Sequence, residues 1–275
     1  MVCRTITQKG SFVKISFIFD KKIMAGIDDF FSLRNTVNEV SNKNKKITKN
    51  YLEPIKAFAR TTYKSIYVID YNKKGFDYVS DNPLFLCGNT AAEVKEMGYN
   101  FYFKHVIEAD LELLLKINTI GFDFYETVPL EEILDYTISY DFHLKDLNKK
   151  TFLINQKLTP LYLTEEGKLW KAMCVISLSS EQKSGNVKVY KKDTEKVIEY
   201  DLEKNYWKEV DKINLSEREI EILHYSIKGY TVKEISEHIF VSPETVKFHR
   251  KKLFVKLNVN NISEAIAYVI GNNLI

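Results

Sequence analysis

Between residues 65 and 80, and again between 136 and 178, the chain runs in short β-rich apolar stretches separated by polar turns, whereas between 215 and 270 apolar positions recur every third or fourth residue. The first rhythm predicts strands and the second predicts helices. Tyr51–Tyr63 reads as a helix with Leu52, Ile55 and Ala59 on one side. Ser65–Asp70 and Phe76–Ser80 follow as strands, and the Asn/Lys/Gly turn at 72–75 joins them into a hairpin. Helical pieces are predicted at Pro83–Cys87, Thr90–Met97 and Glu108–Ile117. Three long strands come next, Tyr136–Asp146, Thr151–Leu163 and Leu169–Leu178, parted by turns at 148–150 and 165–168. Residues 41–50 read as a basic loop. The stretch 181–212 holds eight lysines and eight acids, and its alternation leaves a solvated linker and an extra hairpin both open, with Trp207 packing on a neighbouring domain.

The helical rhythm after residue 213 is punctuated by caps. Ser216 with Glu219, and Thr231 with Glu234, have the spacing of capping boxes, and Gly229 between them releases the first helix. Ser242 followed by Pro243 opens a third helix, since proline at the first helical position gives up an N–H that had no partner. On a wheel of ~100° per residue, Val246, Leu253 and Leu257 form one apolar stripe, and Lys247, Phe248 and Lys251 share a different face. Ile220, Leu223 and Ile227 on the first helix, and Val232, Ile235 and Ile239 on the second, supply the stripes that pack against Val246 and Leu253. Residues 241–260 carry five Lys or Arg against one acid, a local balance of +4. A basic cluster alone is usually a solvated face. Here it follows a four-residue turn (240–243) between two helices, the arrangement of a helix-turn-helix recognition element.

These residues resemble the DNA-binding domain of LuxR-type transcription factors over roughly 208–273. The matching positions are Leu215, Arg218, Glu219, Leu223, Gly229, Glu234, Ile235, Ser242, Thr245, Val246, Lys247, His249, Leu253, Lys256, Leu257, Val259 and Ala265. Asn258 stands where the family has glycine and Ile262 where it often has arginine. The resemblance implies that Lys247, Phe248 and Lys251 face base edges and that Thr245 lies near phosphate. Ser242, Lys233 and Arg250 complete the expected DNA-binding set. His249 reads as structural. The last helix, from Ser263 to about Ile270, either forms a dimer contact, as in relatives, or closes the core.

Two strands, several short helices and three antiparallel strands are similar in order to a PAS domain, and Tyr78 to Pro83 and His105 to Leu111 resemble segments of that fold. The expected class is therefore α+β: a PAS-like antiparallel sheet with short helices, then an all-α four-helix LuxR-type domain. Cys87 lies in Leu-Cys-Gly-Asn and does not match the flavin-adduct sequence of some PAS domains. His105 lies near the haem-ligand position of others but reads as structural. Phe101, Tyr102 and Phe103 suit a pocket and an ordinary core equally. No cofactor is predicted, and a small-molecule ligand of unknown identity is left open.

Composition adds limits. With 275 residues, two domains are expected: an extension over 1–50, a PAS-like sensory or dimerisation domain over 51–180, the stretch 181–212, and the DNA-binding domain over 213–275. Residues 1–23 make a poor signal peptide, and Met24 is read as the true start, with a real β-like extension as the alternative. Three scattered cysteines fit a reducing cytoplasm and no zinc site. No apolar run approaches the ~18 residues of a membrane span. The net charge of +3 makes the basic signal local. No phosphate loop, HExxH, nucleophile elbow or receiver-type acid set is present, so the expected class is a bacterial transcriptional regulator and not an enzyme. Its expected partners are double-stranded DNA, a second copy of itself and possible contacts to RNA polymerase. A sigma-like adaptor acting through polymerase, and an enzyme domain fused to a helix-turn-helix, are the alternatives.

Overall fold

The computed structural model describes residues 25–272 and 274–275. The expectations for residues 1–23 and for Met24 fall outside the described residues. A 3-10 turn at Ile27–Phe30 begins the described chain, and Phe30 and Val37 are buried in the main core. Residues 41–50, expected as loop, contain a short helix, α1 (Asn42–Ile47). The Ser41 side chain caps it by accepting from the Asn44 N–H at 3.2 Å, a signal masked in the sequence by the run of lysines. α2 (Leu52–Ala59) follows.

Apart from α5 and the length of α6, the strands and helices of the next section fall where the sequence puts them. β1 (Ser65–Asp70) and β2 (Gly75–Val79) form the hairpin. α3 (Pro83–Leu86), α4 (Ala91–Met97), α5 (Asn100–His105) and α6 (Glu108–Thr127) come next. β3 (Tyr136–Lys145), β4 (Thr151–Leu163) and β5 (Leu169–Leu178) then run antiparallel. α6 is a turn and more longer than expected and continues past Gly121. A Cβ there would stand 3.2 Å from the Ile138 side chain, so the residue that seems to break the helix is the one that lets it lie on β3. α5 has no predicted counterpart, because six residues rich in aromatics carry no readable period.

All strands join one antiparallel sheet in the order β2-β1-β5-β4-β3-β6-β7-β8. The first five positions, with helices inserted between β2 and β3, are the PAS-like arrangement. β6 (Gly185–Lys191), β7 (Lys196–Asp201) and β8 (Tyr206–Asp211) extend it from the edge of β3. The stretch 181–212 thus forms three strands, beyond the single hairpin the alternation suggests. Trp207 packs on Phe124 of α6 and on Tyr200, with ring centroids 5.1 and 4.8 Å away.

One face of the sheet carries Tyr67, Tyr140, Ile154, Leu158 and Cys174 into a core closed by α3 to α6. A chain of polar groups crosses it. Tyr67 bonds Tyr102 at 2.5 Å and donates to Gln156 Oε1 at 2.9 Å, while the Gln156 amide reaches Tyr140 at 2.5 Å. Buried polar groups are tolerated when satisfied in this way. At one end of the sheet the buried Lys171 ammonium sits 2.5 Å from Asp70 and 2.6 Å from Asp77, and Tyr51 donates to Asp77 at 2.5 Å, tying α2 to the hairpin. Burial opposes ionisation of Asp77, yet hydrogen bonds from Lys171, Lys73 and Tyr51 hold its carboxyl well below the usual range.

Four helices complete the chain: α7 (Glu217–Ile227), α8 (Val232–His238), α9 (Pro243–Leu257) and α10 (Ile262–Gly271). Lys157 on β4 donates to the Gly271 carbonyl at the end of α10 at 3.0 Å, so the helical unit rests against the sheet. Among the described residues, no helix is long and apolar enough to cross a membrane.

Candidate nucleic-acid interface

α7, α8 and α9 start at the caps their sequence announces, whereas α10 starts at Ile262, one residue before the expected Ser263, with the Asn261 side chain accepting from the Glu264 N–H. The Glu219 N–H reaches Ser216 Oγ at 3.3 Å and the Ser216 N–H returns to Glu219 Oε2 at 2.9 Å. Thr231 and Glu234 make the same reciprocal pair. Ser242 accepts from the Thr245 N–H at 3.1 Å. Gly229 takes φ +86° after α7, and Asn258 ends α9 at φ 54°, ψ 49°, the left-handed turn that glycine or asparagine supplies most readily.

Two apolar clusters then orient α9. Val246 joins Ile222, Ile235 and Ile239, while Leu253 and Leu257 join Leu223, Ala265 and Val269. α9 is thus held by both ends of its apolar stripe. On α7 the packing residues are Ile222 and Leu223; Ile227, expected in the stripe, is exposed and Ile220 only half-buried. α7 must serve two clusters, so its buried positions are adjacent and not spaced along one line. On α10 the buried residues are Ala265, Tyr268 and Val269, with Ile270 exposed.

Packing leaves a polar face outward. The Lys247 side chain is 67% exposed and 4.0 Å from Glu244. Phe248 is 54% exposed, with the Lys252 ammonium 4.6 Å above its ring. Lys251 is also exposed. Ser242 and Lys233 reach solvent beside this face, and Thr245, half-buried, shares a 2.9 Å hydrogen bond with the Ser242 hydroxyl. Arg250 stands apart. It is half-buried, with its guanidinium 5.9 Å from the Phe254 ring centroid, and burial lowers its pKa.

Lys256, basic in sequence, is not part of the outward stripe. Its ammonium lies 2.6 Å from Glu219 and donates to the Asn214 carbonyl at 3.1 Å. Burial opposes ionisation of Glu219, but Lys256 and the Ser216 N–H outweigh it and hold the carboxyl below its ordinary value. This pair locks the start of α7 to the end of α9. The signal for it was present as the match at both positions, without any spacing that would show they meet.

Phe240 lies in the turn between α8 and α9, 93% exposed and at φ 54°, a conformation seldom adopted by a bulky residue.

In the sheet domain His105 is buried, with Nδ1 2.8 Å from the Lys145 carbonyl and Nε2 3.1 Å from the Asn89 amide. Burial lowers its pKa, and a neutral ring that donates through Nδ1 and accepts through Nε2 satisfies both partners. Neither nitrogen is open to an iron. Phe101 and Tyr102 are core residues, and hollows of about 20 and 30 Å³ remain beside Tyr140. Among the described residues no cluster of His, Cys, Asp or Glu is placed to hold a metal.

A capped three-helix core with a short turn before a basic helix defines a helix-turn-helix domain. Residues 213–269 match the family described as bacterial regulatory proteins, luxR family, and this C-terminal unit is a LuxR-type helix-turn-helix domain. The oxygen regulatory protein NreC of Staphylococcus carnosus is 43% identical over 61 residues, which are 22% of this chain and 28% of that protein. Its counterpart in Staphylococcus aureus strain JH9 is 41% identical over 61 residues, with the same shares. The chain thus spans under a third of the length of these relatives. Among solved structures, the Vibrio cholerae VqmA dimer without target DNA covers 81% of this chain and 88% of its own, at 14% identity and a TM-score of 0.33. A PAS domain from Colwellia psychrerythraea covers 47% of this chain and 98% of its own, at 11% identity and a TM-score of 0.36.

Proposed function

We propose that this chain is a sequence-specific DNA-binding transcriptional regulator in which the PAS-like domain controls the helix-turn-helix domain, and that it regulates without catalysing a reaction. The observation that carries this reading is the division of α9: Val246, Leu253 and Leu257 are buried while Lys247, Phe248 and Lys251 face solvent. Inserted in a major groove, lysine donates to guanine O6 and N7 or to phosphate, and an aromatic ring packs on thymine methyls. Lys247, Phe248 and Lys251 are the base-reading set, and Ser242, Thr245 and Lys233 hold phosphates. Arg250 serves at most at the margin, since its guanidinium is turned onto Phe254. The likeness to the oxygen regulatory proteins is confined to 61 residues and supports a regulatory role, with no bearing on which signal is sensed.

The protein acts in the cytoplasm as a homodimer on this reading, since one domain of about 60 residues contacts few bases and helix-turn-helix dimers read half-sites about 10 base pairs apart. Footprinting on a selected site tests it. Two related half-sites are expected, and an asymmetric footprint from a monomer overturns the dimer. The fragment 213–275 is expected to keep the base preference of the full chain with altered affinity. Turnover of a substrate by the sheet domain would replace regulation with catalysis.

A further inference from the structure

Between the sheet and α10 lies a cleft of about 530 Å³, within the ~300–1,000 Å³ usual for small-molecule sites. Its floor is the sheet face turned away from α3 to α6, and Tyr268 and Leu274 close it from the other side. Its walls are mixed. Phe58, Val175, Val197 and Leu274 are apolar, while Lys64 and Lys157 bring two positive charges to one region.

The charges of the cleft are unevenly answered. Lys188 lies 3.9 Å from Glu181 and 3.8 Å from Glu199. Asp211 is paired at 2.5 Å with Lys196, and Lys212 bonds the Thr194 carbonyl. Among the described residues, Lys64 and Lys157 have no carboxylate within ion-pair distance. Lys157 has one partner, the Gly271 carbonyl. Its pKa is lowered by burial and by the charge of Lys64, with only Asp141 acting the other way. A half-buried ammonium with a neutral partner and a like charge beside it is unfavourable. An incoming acid group would relieve both.

We propose that this cleft binds a small organic anion, its acid group held by Lys64 and Lys157 and its apolar body laid against Phe58, Val175 and Leu274. A bare inorganic anion would leave the apolar walls wet, and a neutral apolar molecule would leave the lysines unanswered. Because the walls come from both the sheet and the C-terminal helix, the bound anion ties the two together. Any resulting change in DNA affinity rests on the function proposed above; binding of the anion does not.

The test uses the full chain and the fluorescent anion 1-anilinonaphthalene-8-sulfonate. A single saturable site is expected, displaced by decanoate but not by decanol or by inorganic phosphate. Lys64→Glu should weaken it at least tenfold, and Lys157→Gln should do likewise. Lys95→Glu, the same charge change on α4, should leave it within twofold. Thermal melting of each variant shows whether it is folded, and Lys64→Glu removes no hydrogen bond or ion pair of its side chain. Equal affinity in Lys64→Glu, displacement by decanol as effective as by decanoate, displacement by phosphate alone, or the absence of saturable binding overturns the proposal. None of these measurements involves DNA, so the site and the regulatory reading fail separately.

Discussion

Lys251 and Leu253 are two residues apart on α9 and point in different directions, so alanine at each should break a different property. The Lys251 side chain is exposed and makes no hydrogen bond or ion pair. Its removal should change stability by no more than about 0.5 kcal/mol, the range of surface substitutions. Leu253 is 1% exposed in the cluster with Leu223, Leu257, Ala265 and Val269. Leu→Ala at such a site costs about 2–5 kcal/mol. A domain of 60–100 residues loses about 4–8 °C of melting temperature per kcal/mol, so Leu253→Ala should fall by at least about 8 °C. For DNA the order reverses. A lost base contact costs about 1–3 kcal/mol, roughly 5- to 150-fold in affinity, and a lost phosphate contact lowers the salt slope by about one. Fluorescence anisotropy across a salt series, with melting followed by circular dichroism, reads both. If Lys251→Ala binds as tightly as the parent at moderate salt, the outward face of α9 does not read DNA and the polymerase-adaptor reading gains. If Leu253→Ala melts within about 2 °C of the parent, that face is not what docks the helix.

Other expected outcomes follow from the same geometry. Phe248→Ala should alter base preference in a selected pool more than it lowers nonspecific affinity, because the ring carries no charge. Lys256→Ala should destabilise by about 1–3 kcal/mol, as a buried carboxylate loses a charged hydrogen bond, and unlike Lys251→Ala it should show in melting. The lowered pKa of Glu219 means that its stabilising contribution is present above its ordinary value of 4.5 and is lost as pH falls through the lower folded value; Glu219→Gln should abolish that part of the acid transition. Asp141 behaves oppositely. Burial raises its carboxyl to about 6, against hydrogen bonds from Ser179, Asn155 and Asn186, so ionisation weakens the fold as pH rises from 3.8 through 6. Asp141→Asn should therefore be less destabilising, or more stabilising, at pH 8 than at pH 4 in denaturant titrations; a flat difference would contradict the assignment.

Features set by local chemistry were legible in the chain. The caps Ser216, Thr231 and Ser242 act within three residues, and the β-rich runs at 65–70, 136–146, 151–163 and 169–178 are each bounded by a polar turn or loop. The outward position of Lys247, Phe248 and Lys251 followed from one wheel. Features that depend on distant partners were not. Gly121 reads as a helix weakness until Ile138 is placed against it, and the burial of Gln156 makes sense only once Tyr67 and Tyr140 meet it. Arg250 was expected in the DNA-binding set and Lys256 counted only toward the local basic balance, whereas Phe254 holds the first and Glu219 the second. β6 to β8 were obscured by balanced charge, which suits an exposed sheet extension as well as it suits a linker.

The sheet order also sets a schedule for synthesis. β1 pairs on one side with β2, its immediate successor, but on the other with β5, where Ser65 meets Ile176. A ribosome delivering residues in order leaves β1 half-paired until more than a hundred further residues have emerged. During that interval Ile66, Tyr67 and Val68, wholly buried at the end, border an open strand edge. Such an edge is where nascent chains associate wrongly, and distant pairings close slowly. The helical unit, made last, is built from neighbours in sequence and needs no such wait. Chains interrupted before residue 176 should therefore be the aggregation-prone products of expression, while interruption after 212 leaves a sheet with every strand in hand.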